Sequence, residues 1–280
     1  MTIILLNCNK KSTIFCKLQT MKKYYIFIFL VFKTILYSQN SVQLKLVKTE
    51  RIIVDNLLGV DRFDSYYYLN NNAFEKKQID KIFSYSNLQL GKIDQVKIFN
   101  ALKIALLHKD FNTIVLLDNR LAEIRIIDFN NIFPYRRISQ IAYANENSFW
   151  LFNSINLELE LFDYKRQKTQ LRTLPFNEEV ICLNSNYNNV FALTKSKFFH
   201  YNYTGSQVSK IEHNGYDKFK LGDDFIILKK DNSLFYKTFS NDQIQLLKMQ
   251  KKIIKQFFVM NQTLYIYDGE FLYHYQLLKN

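Results

Sequence analysis

Four oxygen-bearing side chains punctuate this chain at the ends of strand-like runs. Asp118 closes Val115-Leu116-Leu117 and Asn153 closes Leu151-Phe152. Asp231 follows Lys229-Lys230, and Asp268 closes Tyr265-Ile266-Tyr267. Carboxylate and amide oxygens are hard donors, and a rim of them would suit Ca²⁺. The same residue types also make tight turns: Asp231-Asn232 and Asp268-Gly269 are strong hairpin pairs. Turn chemistry therefore accounts for all four without a ligand, and a ligand-binding rim is the sharper alternative.

Other chemistries lack their residues. His108, His200, His213 and His274 fall in separate stretches at no metal-ligand spacing, and there is no H-x-x-x-H or Cys pair for zinc. The G-x-S-x-G elbow, the phosphate-binding loop and the dinucleotide fingerprint are all missing. Cys182, in Val180-Ile181-Cys182-Leu183, reads as a buried structural thiol. Arg136-Arg137, after Pro134-Tyr135, reads as a solvated loop, with an anion contact as the alternative. Tyr66-Tyr67-Tyr68 and the Tyr201/Tyr203 pair offer stacking surfaces for sugars or peptides, or packing between sheets. No catalytic residue is assigned.

The elements that must position these residues are strands. Runs rich in β-branched and aromatic residues, bounded by Asn, Asp, Gly and Ser, recur along the chain. The clearest cover 66–69, 113–117, 149–152, 190–193, 225–228 and 264–267, read as the central strand of six repeated units. Their spacing averages about 40 residues, the length of one four-stranded propeller blade. In the first unit the outer strands are expected at 78–85 and 88–93. The last unit ends with three strands, and an unassigned segment at 42–47 and 51–54 is placed to supply the fourth. The expected fold is therefore all-β: a closed propeller of six four-stranded blades, the N-terminal strand completing the last. Seven blades are the alternative if the long first interval hides another. Closing the ring removes exposed sheet edges. On this reading Asp118, Asn153, Asp231 and Asp268 each follow a second strand and share one rim.

The stretch 115–126, Val-Leu-Leu-Asp-Asn-Arg-Leu-Ala-Glu-Ile-Arg-Ile, resembles the strand–turn–strand core of NHL-type and lactonase-like six-bladed β-propellers. The usual Gly-rich turn of that family is absent. The resemblance implies either a binding scaffold or a Ca²⁺-dependent lactonase or esterase-like hydrolase with the metal at the channel mouth. No other cofactor is implied.

Composition narrows the partners. The 280 residues carry a net charge of +13, but residues 1–38 hold six Lys and no acid. The rest carries 32 basic and 25 acidic residues, a net of +7. That mild excess, without a dense basic face or a recognised module, argues against nucleic acid. Met21-Lys22-Lys23, the apolar run 24–32 and Leu36-Tyr37-Ser38 form the three parts of a secretory signal. The run is too short to span a bilayer, which takes about 20 residues. Residues 1–20, with Cys8 and Cys16, then read as an extension upstream of a start at Met21. The signal, ending in Ser38-Gln39-Asn40, also resembles those of Bacteroidetes-type envelope proteins. The expected organisation is a leader over 1–38 and one propeller domain over 39–280, exported to the periplasm or beyond and monomeric. Its expected function is a non-catalytic scaffold for a protein or glycan partner in the envelope. The alternatives are the Ca²⁺-dependent hydrolase and a carbohydrate or cell-wall binder.

Overall fold

The computed structural model describes residues 42–279, except 101, 251 and 252. The leader, both candidate starts, Cys8 and Cys16 lie outside the described residues. Within them, 24 strands form six antiparallel sheets of four strands each. From the axis outward, blade 1 is Asn56–Val60, Tyr66–Asn70, Ala73–Gln78 and Lys81–Tyr85. Blade 2 is Gln95–Asn100, Lys103–His108, Thr113–Leu117 and Glu123–Asp128. Blade 3 is Ile138–Asn145, Ser148–Asn153, Glu158–Asp163 and Lys168–Arg172. Blade 4 is Cys182–Ser185, Asn189–Leu193, Lys197–Asn202 and Gln207–Glu212. Blade 5 is Lys218–Leu221, Phe225–Lys230, Ser233–Thr238 and Gln245–Leu246. Blade 6 is Gln256–Met260, Thr263–Tyr267 and Phe271–Lys279, and its outermost strand is Val42–Arg51. That strand pairs antiparallel with the chain's last, from Val42 opposite Lys279 to Arg51 opposite Phe271. Gln245 of blade 5 grips its first residue twice, accepting from Val42 N and donating to Val42 O, both at 3.0 Å.

The core is divided into six apolar layers, one between each pair of neighbouring blades. In blade 2, Ile104, Leu106, Val115 and Leu117 pack with Tyr67 and Phe74 of blade 1. Their alternates Ala105, Leu107, Ile114 and Leu116 pack with Ile141, Phe149 and Phe162 of blade 3. Successive side chains of a strand point to opposite faces. With both faces covered, the middle strands must be apolar throughout. That is why Val115-Leu116-Leu117 is a run and not an alternation. The layer between blades 6 and 1, with Phe258, Tyr267 and Leu272 against Leu57 and Tyr68, closes the circle. Tyr66, Tyr67 and Tyr68 all serve these layers, with Tyr67 on the opposite side from its two neighbours.

Two sequence expectations need correction. In blade 2, 113–117 is the third strand and not the second, which is Lys103–His108. The inner strand is Gln95–Asn100, and its polar Gln95 and Lys97 disguise it as a loop in the sequence. Restoring it also removes the room for a seventh blade. In blade 1, the outer strands are Ala73–Gln78 and Lys81–Tyr85, joined by a turn with Ile79 at φ 48. Leu88–Leu90 is a short 3-10 turn, not a strand, because the Asn87 side chain accepts from Gln89 N and Leu90 N and caps it.

Candidate functional site

The four turn residues do not share a rim. Asn153, Asp231 and Asp268 follow second strands and lie on what is here the lower face, with the second-to-third turns. Asp118 follows a third strand, so it lies on the upper face, with the first-to-second and third-to-fourth turns. Asp118, Asp268 and Asn153 carry turn or core hydrogen bonds. Asp118 Oδ1 accepts from Arg120 N and Ala122 N at 2.8 and 2.9 Å. Asp268 Oδ1 accepts from Glu270 N and Phe271 N, and Oδ2 from Tyr273 Oη. Burial alone would raise the Asp268 carboxyl, but these donors outweigh it and hold the carboxyl below its usual range. Asp231 sits in the left-handed region at φ 51, as a tight turn demands. Asn153 is buried and donates through Nδ2 to Glu160 Oε1 at 2.9 Å. Glu160 is the partner of Arg136, at 3.0 Å. Arg136 is therefore not the solvated loop residue its neighbours implied. Its guanidinium is buried among Glu160, Thr169 Oγ1 and the Pro134 carbonyl. Among the described residues, no three His, Cys, Asp or Glu are grouped to hold a metal ion.

The axial channel is where the geometry concentrates polar groups. Its wall is the six inner strands, whose sequences are NLLGV, QVKIFN, ISQIAYAN, CLNS, KFKL and QFFVM. They hold Lys97, Lys218 and Lys220 and not one Asp or Glu. Amide side chains stitch four of the six junctions between neighbouring strands. Gln95 Nε2 donates to Gln140 Oε1 at 2.9 Å, while its own Oε1 accepts from Ile141 N at 2.8 Å. Gln140 Nε2 donates to Ile181 O at 3.1 Å, and Asn184 Nδ2 to Phe219 O at 2.9 Å. Gln256 joins blade 6 to blade 1 through Asn56 Oδ1 at 2.6 Å and Leu57 N at 3.1 Å. An inner strand offers an unpaired edge to the channel, and these amides satisfy part of it.

Lys97 reaches from blade 2 past blade 3 to blade 4, donating to Leu183 O at 2.6 Å and Asn184 Oδ1 at 2.7 Å. Lys220 stands on blade 5, opposite blade 2 across a six-membered ring. Burial drives the Lys97 ammonium down to about 7; the Cys182 sulfur opposes this and the like charge of Lys220 adds to it. Burial likewise lowers Lys220, with Lys218 contributing. Both lysines are half-buried on this wall. Cys182 is half-buried on this wall, its Sγ 3.9 Å from Phe219 O, and not sealed in a strand core as its neighbours implied.

At the upper face the channel continues into a groove. A cavity of about 250 Å³ is lined by Lys97, Phe99, Tyr143, Asn184, Ser185 and Asn186. A second, of about 280 Å³, shares Asn186 and runs outward between blades 3 and 4 over Trp150, Leu161, Tyr187 and Tyr203. Trp150 is its buried floor, whereas Tyr187 and Tyr203 are 74% and 63% exposed. The turn beneath is rigid: Asn186 Oδ1 accepts from Asn188 N at 3.0 Å and Asn189 N at 2.8 Å. Asn189 in turn holds His200 Nε2 at 2.7 Å, with the ring stacked on Phe191. Burial lowers the His200 imidazole, and nearby Lys237 lowers it further. Tyr203 was legible in the sequence as a stacking residue. Lys97, Asn184, Tyr187 and Lys220 were not, and the one available signal was Lys and Gln or Asn in acid-free strands.

No protein-family model matches this chain, and no curated protein matches it by sequence. Solved structures do resemble it. Virginiamycin B lyase from Staphylococcus aureus superposes with a TM-score of 0.58 at 11% identity, over 84% of this chain and 100% of that one. The Pan2 WD40 domain of Neurospora crassa gives 0.56 at 8% identity, over 80% of this chain and 74% of that one. PorZ from Porphyromonas gingivalis, an essential bacterial surface component of the type-IX secretion system, gives 0.51 at 10% identity. There the match covers 78% of this chain and 31% of PorZ. At such identities the likeness is one of fold, and the fold it supports is a six-bladed β-propeller.

Proposed function

We propose that this chain is an exported, non-catalytic binding scaffold that holds a protein partner across its upper face. The observation that carries this reading is the groove between blades 3 and 4. It presents two well-exposed tyrosines beside a row of asparagines, on a turn fixed by its own hydrogen bonds. Tyrosine on a preorganised frame gives large contact area at small entropic cost. Export is supported by the basic, apolar and small-residue segments over 21–38. Among the described residues, no helix is long and apolar enough to cross a membrane. The fold likeness to PorZ, a surface component of a secretion system, is compatible with an envelope role.

Glycan binding is the second reading, because aromatic faces flanked by amides are also what a sugar needs. The hydrolase reading relied on a rim that the topology divides between two faces. The test is crosslinking and capture of a tagged chain from its native envelope, alongside the Tyr187→Ser/Tyr203→Ser variant. Stoichiometric capture of one protein by the native chain, lost in the variant, supports the scaffold. Capture that the variant leaves intact contradicts the assigned face. Saturable binding on a glycan array without any protein capture selects the glycan reading.

A further inference from the structure

We propose that the axial channel is a binding site for an oxyanion, a carboxylate or phosphate group held between Lys97 and Lys220. What the channel wall lacks is negative charge. Its strands contribute three lysines and no carboxylate. Neither Lys97 nor Lys220 forms an ion pair among the described residues. Two acids that flank these strands are engaged elsewhere: Asp94 with Lys92 and the Lys109 amide, Asp217 with Lys229. Isolated ammonium groups held away from bulk water are costly, and such charges are ordinarily paired or neutralised. Two of them facing one channel from opposite blades repel each other.

The geometry is that of a built site. Lys97 is aimed by two acceptors, Leu183 O and Asn184 Oδ1. An ammonium has three donors, so one N–H is left for a ligand. Asn184 is itself fixed by its bond to Phe219 O. The cavity that includes Lys97 and Asn184 opens on the upper face, which supplies a path of entry. The burial that depresses both lysines is the same feature that an anion would offset. The site lies inward of the tyrosine groove, which its cavity meets at Asn186, and it stands whether or not a protein binds the tyrosines.

The test is calorimetric titration of the whole propeller with inorganic phosphate, and separately with succinate, at matched ionic strength in chloride. Saturable binding of at least one of them is expected, with affinity falling about tenfold on removal of one charged contact. Lys220→Met is the primary variant. Lys97→Met is the second, its folding checked by circular dichroism because Lys97 also holds blade 4. Lys210→Met, on the exposed outer strand of blade 4, is the control and keeps native affinity. Binding of phosphate alone assigns a phosphate group, and binding of succinate alone assigns a carboxylate. The proposal is overturned if neither anion binds saturably at millimolar concentration, or if Lys220→Met binds as tightly as the control.

Discussion

Gln95 of blade 2 donates its side-chain amide to Gln140 of blade 3 at 2.9 Å, and Gln140 passes its own amide on to the Ile181 carbonyl of blade 4 at 3.1 Å. Three blades are thereby tied together by two side chains at the axis, where the apolar layers end. Gln140 is buried, so removing it strands polar partners that water reaches poorly. Gln140→Ala is expected to destabilise the propeller by about 1–3 kcal/mol. The double variant with Gln95→Ala is expected to cost less than the sum of the two single changes. Denaturant unfolding of the four proteins measures both.

A second stability test concerns Arg136 and Glu160, buried at the lower end of blade 3. Arg136→Met leaves Glu160 with Asn153 and Thr169 but without its close cation. The expected cost is about 3 kcal/mol, the low end for breaking a buried pair, because Arg172 Nε stands 3.8 Å from the same carboxylate. Glu160→Gln in the Arg136→Met background is expected to recover part of that loss, since it removes the uncompensated charge and keeps an acceptor for Asn153. A double variant no more stable than Arg136→Met would contradict the pairing.

The channel lysines make a prediction about pH. Lys97 titrates near 7 in the folded protein and at 10.5 ordinarily. Between these values the unfolded chain binds the extra proton, so stability rises with pH across that window. It is greatest above the ordinary value and is lost as pH falls through about 7. Lys220, Lys218 and Cys182 face the same space, so the informative quantity is the difference between native protein and Lys97→Met. Unfolding midpoints from neutral to alkaline pH are expected to rise more steeply for the native chain. Parallel curves would contradict the burial of Lys97.

What the sequence made legible follows from physics. Middle strands covered on both faces must be apolar throughout, so 149–152, 190–193 and 264–267 stand out and their period reveals the blades. Inner strands face a polar channel on one side, so Gln95-Val96-Lys97 hides among loops, and the second blade is misnumbered by one strand. Asp118 falls on the face opposite to the sequence expectation for that reason alone. Arg136 looked solvated because its partner, Glu160, lies 24 residues away and only the sheet register brings them together. Lys97 and Lys220 stand on opposite blades of the ring, a relationship no local window contains. Cys182 was read from its apolar neighbours, and those neighbours do not reveal that its strand is the one lining the axis.

The central claim is that a partner sits on the upper face over Tyr187 and Tyr203. Its most direct test is a photoreactive phenylalanine analogue placed at Tyr187 and, in a separate protein, at Leu174. Leu174 is 86% exposed and follows the outermost strand of blade 3 on the lower face. On irradiation in the native envelope, the account predicts one discrete crosslinked species from position 187 and none from 174. Crosslinking from 174 with none from 187 would place the partner on the opposite face and contradict the account.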